Sequence, residues 1–424
     1  MTVAALHKVF LQASGACTDT RKITKNCIYF ALKGPNFNGN AFAKDALKKG
    51  AAYAIIDEEK YLEGPTTILV ENVLETLQKL GTFHRGRCRA KVISLTGSNG
   101  KTTTKELIYT VLSQKYKTIA TKGNLNNHIG VPLTLLTIKE DTEMAIVEMG
   151  ANHQKEIELL SNISRPDFGY ITNFGKAHLE GFGGVAGVIK GKSELYEHLL
   201  AHDKHVFLNA DDPIQVEKLA SYIKKIGFSQ SDQRYFGIQF IGANPFVTLR
   251  FEEMTIQTQL SGAYNFPNCA IAVLMGKYFN VAPKDIKKAL ETYIPENNRS
   301  QILKKNGHHI ILDAYNANPT SMQAALESFS KMAAQHKVLF LGDMFELGED
   351  AQKEHQYIND LVLELGFDHV YLVGEHFCQV TTSFDQFASF DALLEASDLK
   401  TLQKSHILIK GSRGMAMERI LELL

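Results

Sequence analysis

The feature that most constrains this chain is the run Val92 to Thr104, VISLTGSNGKTTT. A β-branched apolar stretch leads into a turn containing Gly97 and Gly100. From Lys105 to Leu112 the residues Leu107, Ile108, Val111 and Leu112 then share one helical face. Strand, glycine turn and helix in that order make a unit whose helix N-terminus meets the turn. Glycines let backbone N–H groups face inward there, and the helix end adds about half a positive charge. Such a turn holds an anion. Lys101 can neutralise terminal phosphate oxygens, and the Thr102 hydroxyl can reach a divalent cation. The commoner form of this loop has a glycine where Leu95 stands, so the loop is a shortened variant. Gly97, Ser98, Asn99, Gly100, Lys101, Thr102 and Thr103 are therefore read as nucleotide ligands.

Short apolar runs alternate with amphipathic stretches along most of the chain, which predicts parallel sheets with crossover helices. Strands are expected at Cys27 to Leu32, Ala52 to Ile56, Val92 to Leu95, Ala145 to Met149, Gly169 to Thr172, Val206 to Asn209, Ile310 to Asp313, Val338 to Leu341, Val370 to Val373 and Ile407 to Ile409. A chain of 424 residues exceeds one hydrophobic core. The basic, glycine-punctuated segment Gly81 to Lys91 and the polar segment Ile294 to Gln301 suggest boundaries. The expectation is an α/β protein of three domains: a small N-terminal α/β domain over 1–85, a central P-loop-type parallel sheet over 86–295, and a C-terminal Rossmann-like domain over 296–424. Ligands of such sheets sit beyond the carboxyl ends of the strands, where Gly97, Glu148, Asn173, Asp313 and Asp343 fall.

With 46 basic and 46 acidic side chains, nothing draws the whole surface to nucleic acid or anionic lipid. The opening MTVAALHKVFLQ lacks the apolar core of a secretory signal, and no run reaches the roughly 18 apolar residues of a membrane span. Cys17, Cys27, Cys88, Cys269 and Cys378 are scattered and odd in number, against a disulfide framework or zinc site. A cytoplasmic protein, acting as a monomer, is expected.

Beyond the glycine loop, the blocks GNLNNHIGVPLTLL (Gly123 to Leu136), IVEMGA (Ile146 to Ala151), ITNFGKAHLEGFG (Ile171 to Gly183), KSELY (Lys192 to Tyr196), GAYNFPNCAIA (Gly262 to Ala272), DAYNANPTSM (Asp313 to Met322) and LGDMFELG (Leu341 to Gly348) follow in order. In sequence and spacing this series resembles the Mur ligase family. The YNANP and GDMFELG blocks are most similar to the branch that adds D-alanyl-D-alanine. The resemblance implies an ATP-dependent ligase that joins D-alanyl-D-alanine to UDP-N-acetylmuramoyl-tripeptide through an acyl phosphate, with two Mg2+ ions as cofactors.

It also implies roles for single residues. Glu148 ends an apolar run, where an ionised carboxylate needs a partner such as a nucleotide-bound cation; Thr102, Glu148, His178 and Lys192 become the metal set. His178 alone would read as a solvated loop residue, and Lys192 as a solvated helix residue. In the family the lysine at this place is commonly carbamylated. Lys101, Glu148, His178 and Lys192 are thus the expected catalytic group. Asn265 and Asn268, otherwise turn or helix-capping residues, are expected near adenine. Arg299, Asp313 and Asn316 are the third domain's contribution to the nucleotide. TDTRKI and FALKGPNFNGNAF resemble UDP-binding segments, implicating Asp19, Thr20, Arg21, Lys33, Gly34, Asn38 and Gly39. Asn318, Asp343 and the segment Lys410 to Met415 are expected to line the dipeptide space.

A sister ligase adding the third amino acid, or one extending folate with glutamate, would share the whole ATP site. A kinase or conformational NTPase would explain Lys101 and Thr102 but leave His178 and Lys192 without a role.

Overall fold

Runs of β-branched and aromatic residues, too short for helices and bounded by turn residues, build three separate sheets. The computed structural model describes residues 1–296, 298–396, 399 and 402–424. In the first unit, Ala16–Cys17, Ile28–Phe30, Tyr53–Ile56 and Thr67–Leu69 lie side by side and parallel. A small hairpin, Lys33–Gly34 with Phe37–Asn38, projects from its second strand.

The central sheet has nine strands, in the order Met254–Ser261, Phe246–Phe251, Phe236–Ala243, Lys225–Ser229, His205–Asn209, Phe168–Ile171, Lys91–Thr96, Met144–Glu148 and Thr118–Ala120. The chain leaves Lys91–Thr96 toward one side and later returns on the other. Such a switch point opens a crevice at the strand's carboxyl end. The glycine loop sits there, followed by helix Lys101–Leu112 with Leu107, Ile108, Val111 and Leu112 fully buried. Gly97 and Gly100 have positive φ, 141° and 78°. A side chain on Gly97 would overlap Thr172 Oγ1, and one on Gly100 would press on the Asn268 amide.

Each anticipated strand forms, Cys27 to Leu32 as the shorter Ile28–Phe30. The alternating strand–helix reading fails over residues 236–261. Three strands there pair antiparallel instead and finish one edge of the sheet. Burial alternates along the middle strand, FVTLRF, where Val247, Leu249 and Phe251 point inward. That period of two suits a half-covered antiparallel sheet rather than a fully buried parallel one.

The third sheet runs Gln301–Lys305, His308–Asp313, His406–Lys410, Lys337–Gly342, His369–Val373 and Asp385–Phe387; only the first pair is antiparallel. The first unit packs on the second through helix Val73–Arg85, where a Cβ on Gly81 would stand a tight 3.0 Å from Pro132. Arg85 crosses this boundary, paired with Asp167 at 2.7 Å and bonded to the Ser164 and Arg165 carbonyls. Between the second and third units the apolar packing is continuous: Phe174, Leu179 and Phe182 share a cluster with Ala317, Met322, Met344 and Leu347. This packing brings residues 299–318 over the glycine loop. Among the described residues no helix is long and apolar enough to cross a membrane.

Candidate active site

A cavity of about 540 Å³ lies between the central and third units. Ser98 to Thr103, Glu148, His178, Asn265 and Asn268 line it from one side, and Arg299, Asp313, Asn316 and Asn318 from the other. Gly97 lies just behind, its carbonyl accepting from Lys101 Nζ at 2.7 Å.

Lys101 also donates to the Ser98 carbonyl at 3.1 Å. Burial pushes its pKa down to about 8; the Glu148 carboxylate opposes this and Arg299 adds to it. The lysine therefore rests folded onto its own loop, an ammonium short of anionic partners.

Glu148 is 1% exposed. Its Oε1 accepts from Asn126 Nδ2 at 2.8 Å and Thr102 Oγ1 at 3.2 Å, and its backbone N–H bonds Thr121 Oγ1. Oε2 is buried without a partner. A carboxylate oxygen left so is costly unless a cation meets it. Thr102, with its hydroxyl beside this carboxylate, completes a hard oxygen pair suited to Mg2+. Asn126 escaped notice in the sequence, although the asparagine-rich stretch around it was a signal.

Lys192 is fully buried, its Nζ 3.0 Å from the Ala151 carbonyl and 4.7 Å from the centre of the Phe182 ring. It lies behind the cavity wall, of which Ala151 is part. Burial, then the nearby Lys101 charge, depresses its pKa well below the lysine range. The neighbouring Lys190 is exposed. A neutral amine is the form that adds carbon dioxide. His178 adopts a left-handed conformation, φ 53°, and its Nδ1 bonds Glu346 of the third unit. Nε2 has no hydrogen-bond partner among the described residues.

Several expected ligands are held by the protein itself. Asn268 accepts from Thr104 Oγ1 at 3.0 Å and donates to Asn265, whose own amide bonds the Ser261 carbonyl. Both line the cavity while bracing helix Phe266–Tyr278 against the glycine loop. Asp313 is held by the Ser300 N–H and by buried Lys410 at 2.5 Å. Lys410 also reaches the Asn316 carbonyl. Arg299 lies 3.6 Å from the centre of the Tyr315 ring, a stacking partner not foreseen. Asn318 caps helix Pro319–Ser330 and bonds Asn99 across the cavity at 2.7 Å.

Asp343 is not in the cavity lining, contrary to the expectation of a dipeptide contact. It is 2% exposed, and its two oxygens accept the backbone N–H groups of His376 and Phe377, each at 3.0 Å. Those bonds close a turn and leave no face for a ligand.

The first-unit residues form a separate surface. Asp19 caps the turn Thr20–Lys22 and pairs with Arg21 at 2.8 Å. Lys33 pairs with Asp57 at 2.9 Å and Glu58 at 3.1 Å, and Asn38 donates to Glu58. Gly34 lies in the hairpin, and the Gly39 carbonyl accepts from Tyr29. Phe37 and Phe42, both exposed, stack beside them at 5.5 Å.

A nucleotide-type cleft shared by two α/β units, with a third carried in front, defines a class. Residues 95–276 match the Mur ligase middle domain, and residues 298–413 match the Mur ligase glutamate ligase domain. The chain belongs to the Mur ligase family. It is 33% identical over 424 residues to the UDP-N-acetylmuramoyl-tripeptide--D-alanyl-D-alanine ligase of Bacillus subtilis (strain 168), covering 96% of this chain and 92% of that one. It superposes on MurF from Acinetobacter baumannii with a TM-score of 0.86 at 29% identity, covering 99% and 98% of the two chains. The MurF ligase of Thermotoga maritima, solved in complex with ADP, gives 0.85 at 25% identity and 98% and 97% coverage.

Proposed function

We propose that this chain is an ATP-dependent amide-bond ligase that joins D-alanyl-D-alanine to UDP-N-acetylmuramoyl-tripeptide in peptidoglycan precursor synthesis, releasing ADP and phosphate. The observation that carries the chemistry is buried Glu148, with one oxygen held by Asn126 and Thr102 and the other free. Similarity to the Bacillus ligase over nearly the whole chain supports the substrates.

Bringing a carboxylate to a phosphate sets anion against anion, about 4 kcal/mol per charge pair at ~4 Å and an effective dielectric near 20. Uncompensated, one such pair slows the reaction by about a thousandfold. Lys101 exchanges the Gly97 and Ser98 carbonyls for terminal phosphate oxygens, and the helix N-terminus faces the same atoms. Arg299, stacked on Tyr315, brings a second cation from the third unit. The terminal carboxylate of the tripeptide attacks the γ-phosphorus, ADP departs, and an acyl phosphate remains. The amine of D-alanyl-D-alanine then attacks the acyl carbon and phosphate leaves. Thr102 and Glu148 would hold one Mg2+, and His178 with carbamylated Lys192 would serve a second. Magnesium bound there neutralises charge on the phosphate oxygens.

Residues 1–85 take the UDP group through Asp19, Thr20, Arg21, Lys33, Gly34, Asn38 and Gly39. Residues 86–295 bind ATP, and residues 296–424 close over it. The dipeptide enters between these last two units, beside Asn318. A monomer in the cytoplasm is the working unit, since both walls of the cleft come from one chain. Phosphate release should require both the UDP-tripeptide and D-alanyl-D-alanine. Release with either alone, or with single amino acids in place of the dipeptide, would refute the assignment.

A further inference from the structure

The loop between strand Phe168–Ile171 and helix Leu179–Phe182 is held from two sides. On the side of the glycine loop, Ser98 Oγ donates to the Gly175 carbonyl at 2.7 Å, the Asn99 N–H donates to Asn173 Oδ1 at 3.1 Å, and Thr172 Oγ1 donates to the Asn99 carbonyl at 2.6 Å. On the other side three hydrogen bonds run to the third unit. The Lys176 N–H donates to Thr320 Oγ1 at 2.9 Å, His178 bonds Glu346, and the Glu180 N–H reaches the Glu346 carbonyl.

One further link is ionic. Lys176 Nζ meets Glu354 Oε1 at 2.6 Å, and the Glu354 side chain is 5% exposed while that of Lys176 is 43% exposed. Glu354 Oε2 is buried without a partner, so Lys176 is the cation that balances this carboxylate. The ammonium also lies 5.9 Å from the centre of the Tyr357 ring. Removing Lys176 while the two units stay docked would leave this carboxylate buried without its counter-ion, which is costly. Gly175 makes the fit close: a Cβ there would stand 3.0 Å from both the Asn99 amide and Thr320 Cγ2.

We propose that the Lys176–Glu354 ion pair positions the His178 loop against the glycine loop, so that the phosphate site is complete only when the third unit is docked. Neither residue lines the cavity; each is a positioning residue acting through the loop. The inference rests on the ligase reading for its kinetic consequence, but its geometric consequence is independent of turnover.

The test uses the full chain with Lys176→Ala, Glu354→Gln, the two combined, and the exchange Lys176→Glu with Glu354→Lys. Each single variant should lower kcat by at least about tenfold. UDP-tripeptide affinity should stay within about twofold of the parent, because the first unit is untouched. The combined variant should fall no further than the worse single one, and the exchange should recover activity over both. In small-angle scattering with a non-hydrolysable ATP analogue and magnesium, the parent should be compact and Lys176→Ala more extended. Lys176→Ala leaves the Glu354 carboxylate without its counter-ion and should unfold below the parent's temperature, while adding Glu354→Gln should bring it back toward the parent's.

Additive losses, or kcat and scattering equal to the parent's, would overturn the proposal. If the parent forms no amide while Lys176→Ala still loses compactness, the ligase reading falls and the positioning role stands.

Discussion

The cleft and the first-unit surface treat charge in opposite ways. At the cleft, half-buried Lys101, buried Glu148 and Lys192 behind the wall are incompletely compensated: two lysine pKa values are pushed down by desolvation and one carboxylate oxygen has no partner. On the first unit, Arg21 is 86% exposed and paired with Asp19, while Lys33 sits between Asp57 and Glu58. The first arrangement holds an electrostatic demand that only a ligand meets. The second is balanced in water, where such exposed pairs add little to stability. Substitutions in the cleft should therefore act on turnover with little loss of stability, and those on the first unit should act weakly on binding.

The largest effect should come from Lys101→Ala. Turnover should fall at least about a thousandfold, as when a principal electrostatic group is removed. Thermal unfolding without nucleotide should not move downward, because this half-buried ammonium, its pKa pushed down by desolvation, is not a stabilising group; the stabilisation given by ATP and magnesium should vanish. Retained turnover would erase the contrast.

Lys192→Ala should reduce turnover by about a hundredfold or more, with partial recovery in small carboxylic acids that occupy the vacated space. Exposed Lys190→Ala should stay within about twofold, as most surface substitutions do. Reversed phenotypes would move the carbamate to the other lysine; silence of both would remove it.

Proton linkage follows from Lys101. Its folded pKa, about 8, lies below the ordinary 10.5. Between those values the unfolded chain binds more protons, so this group's contribution to stability rises with pH across that window. Bound phosphate favours the ammonium, so above pH 8 binding takes up a proton and nucleotide affinity should fall by up to about tenfold per pH unit. Calorimetry in buffers of different ionisation enthalpy measures that uptake. An affinity flat from about pH 7 to about pH 9.5 would contradict the half-buried, uncompensated lysine.

Smallest of all, Lys33→Ala should raise KM for the UDP-tripeptide by about threefold to tenfold, in keeping with one exposed ionic contact. It should leave kcat and nucleotide affinity unchanged. A loss of kcat would mean that the two surfaces are not separate.

The glycine loop was legible because strand, turn and helix are local: residues adjacent in sequence make the site. The parallel strands were legible for the same reason. Asn126 was not singled out, since its role is to hold Glu148, 22 residues away, across two strand ends. Asp343 was misread because a carboxylate after a strand resembles a ligand until its bonds to the His376 and Phe377 N–H groups are known. Lys410 owes its place to a contact with Asp313, 97 residues away, and Tyr315 to Arg299 across one pair of neighbouring strands. The antiparallel strands over 236–261 carried a visible alternation that the dominant strand–helix pattern obscured.

The most direct test of the account is the fate of oxygen in the tripeptide's terminal carboxylate. On the proposed reading the glycine loop, Lys101 and Glu148 hold terminal phosphates, so that carboxylate should take the γ-phosphoryl group and lose one oxygen with it when the amine attacks. With oxygen-18 in the carboxylate, one labelled oxygen should appear in the released phosphate, alongside ADP. Label recovered in AMP, or absent from phosphate while amide is formed, would contradict the acyl-phosphate mechanism and the reading of the cleft built on it.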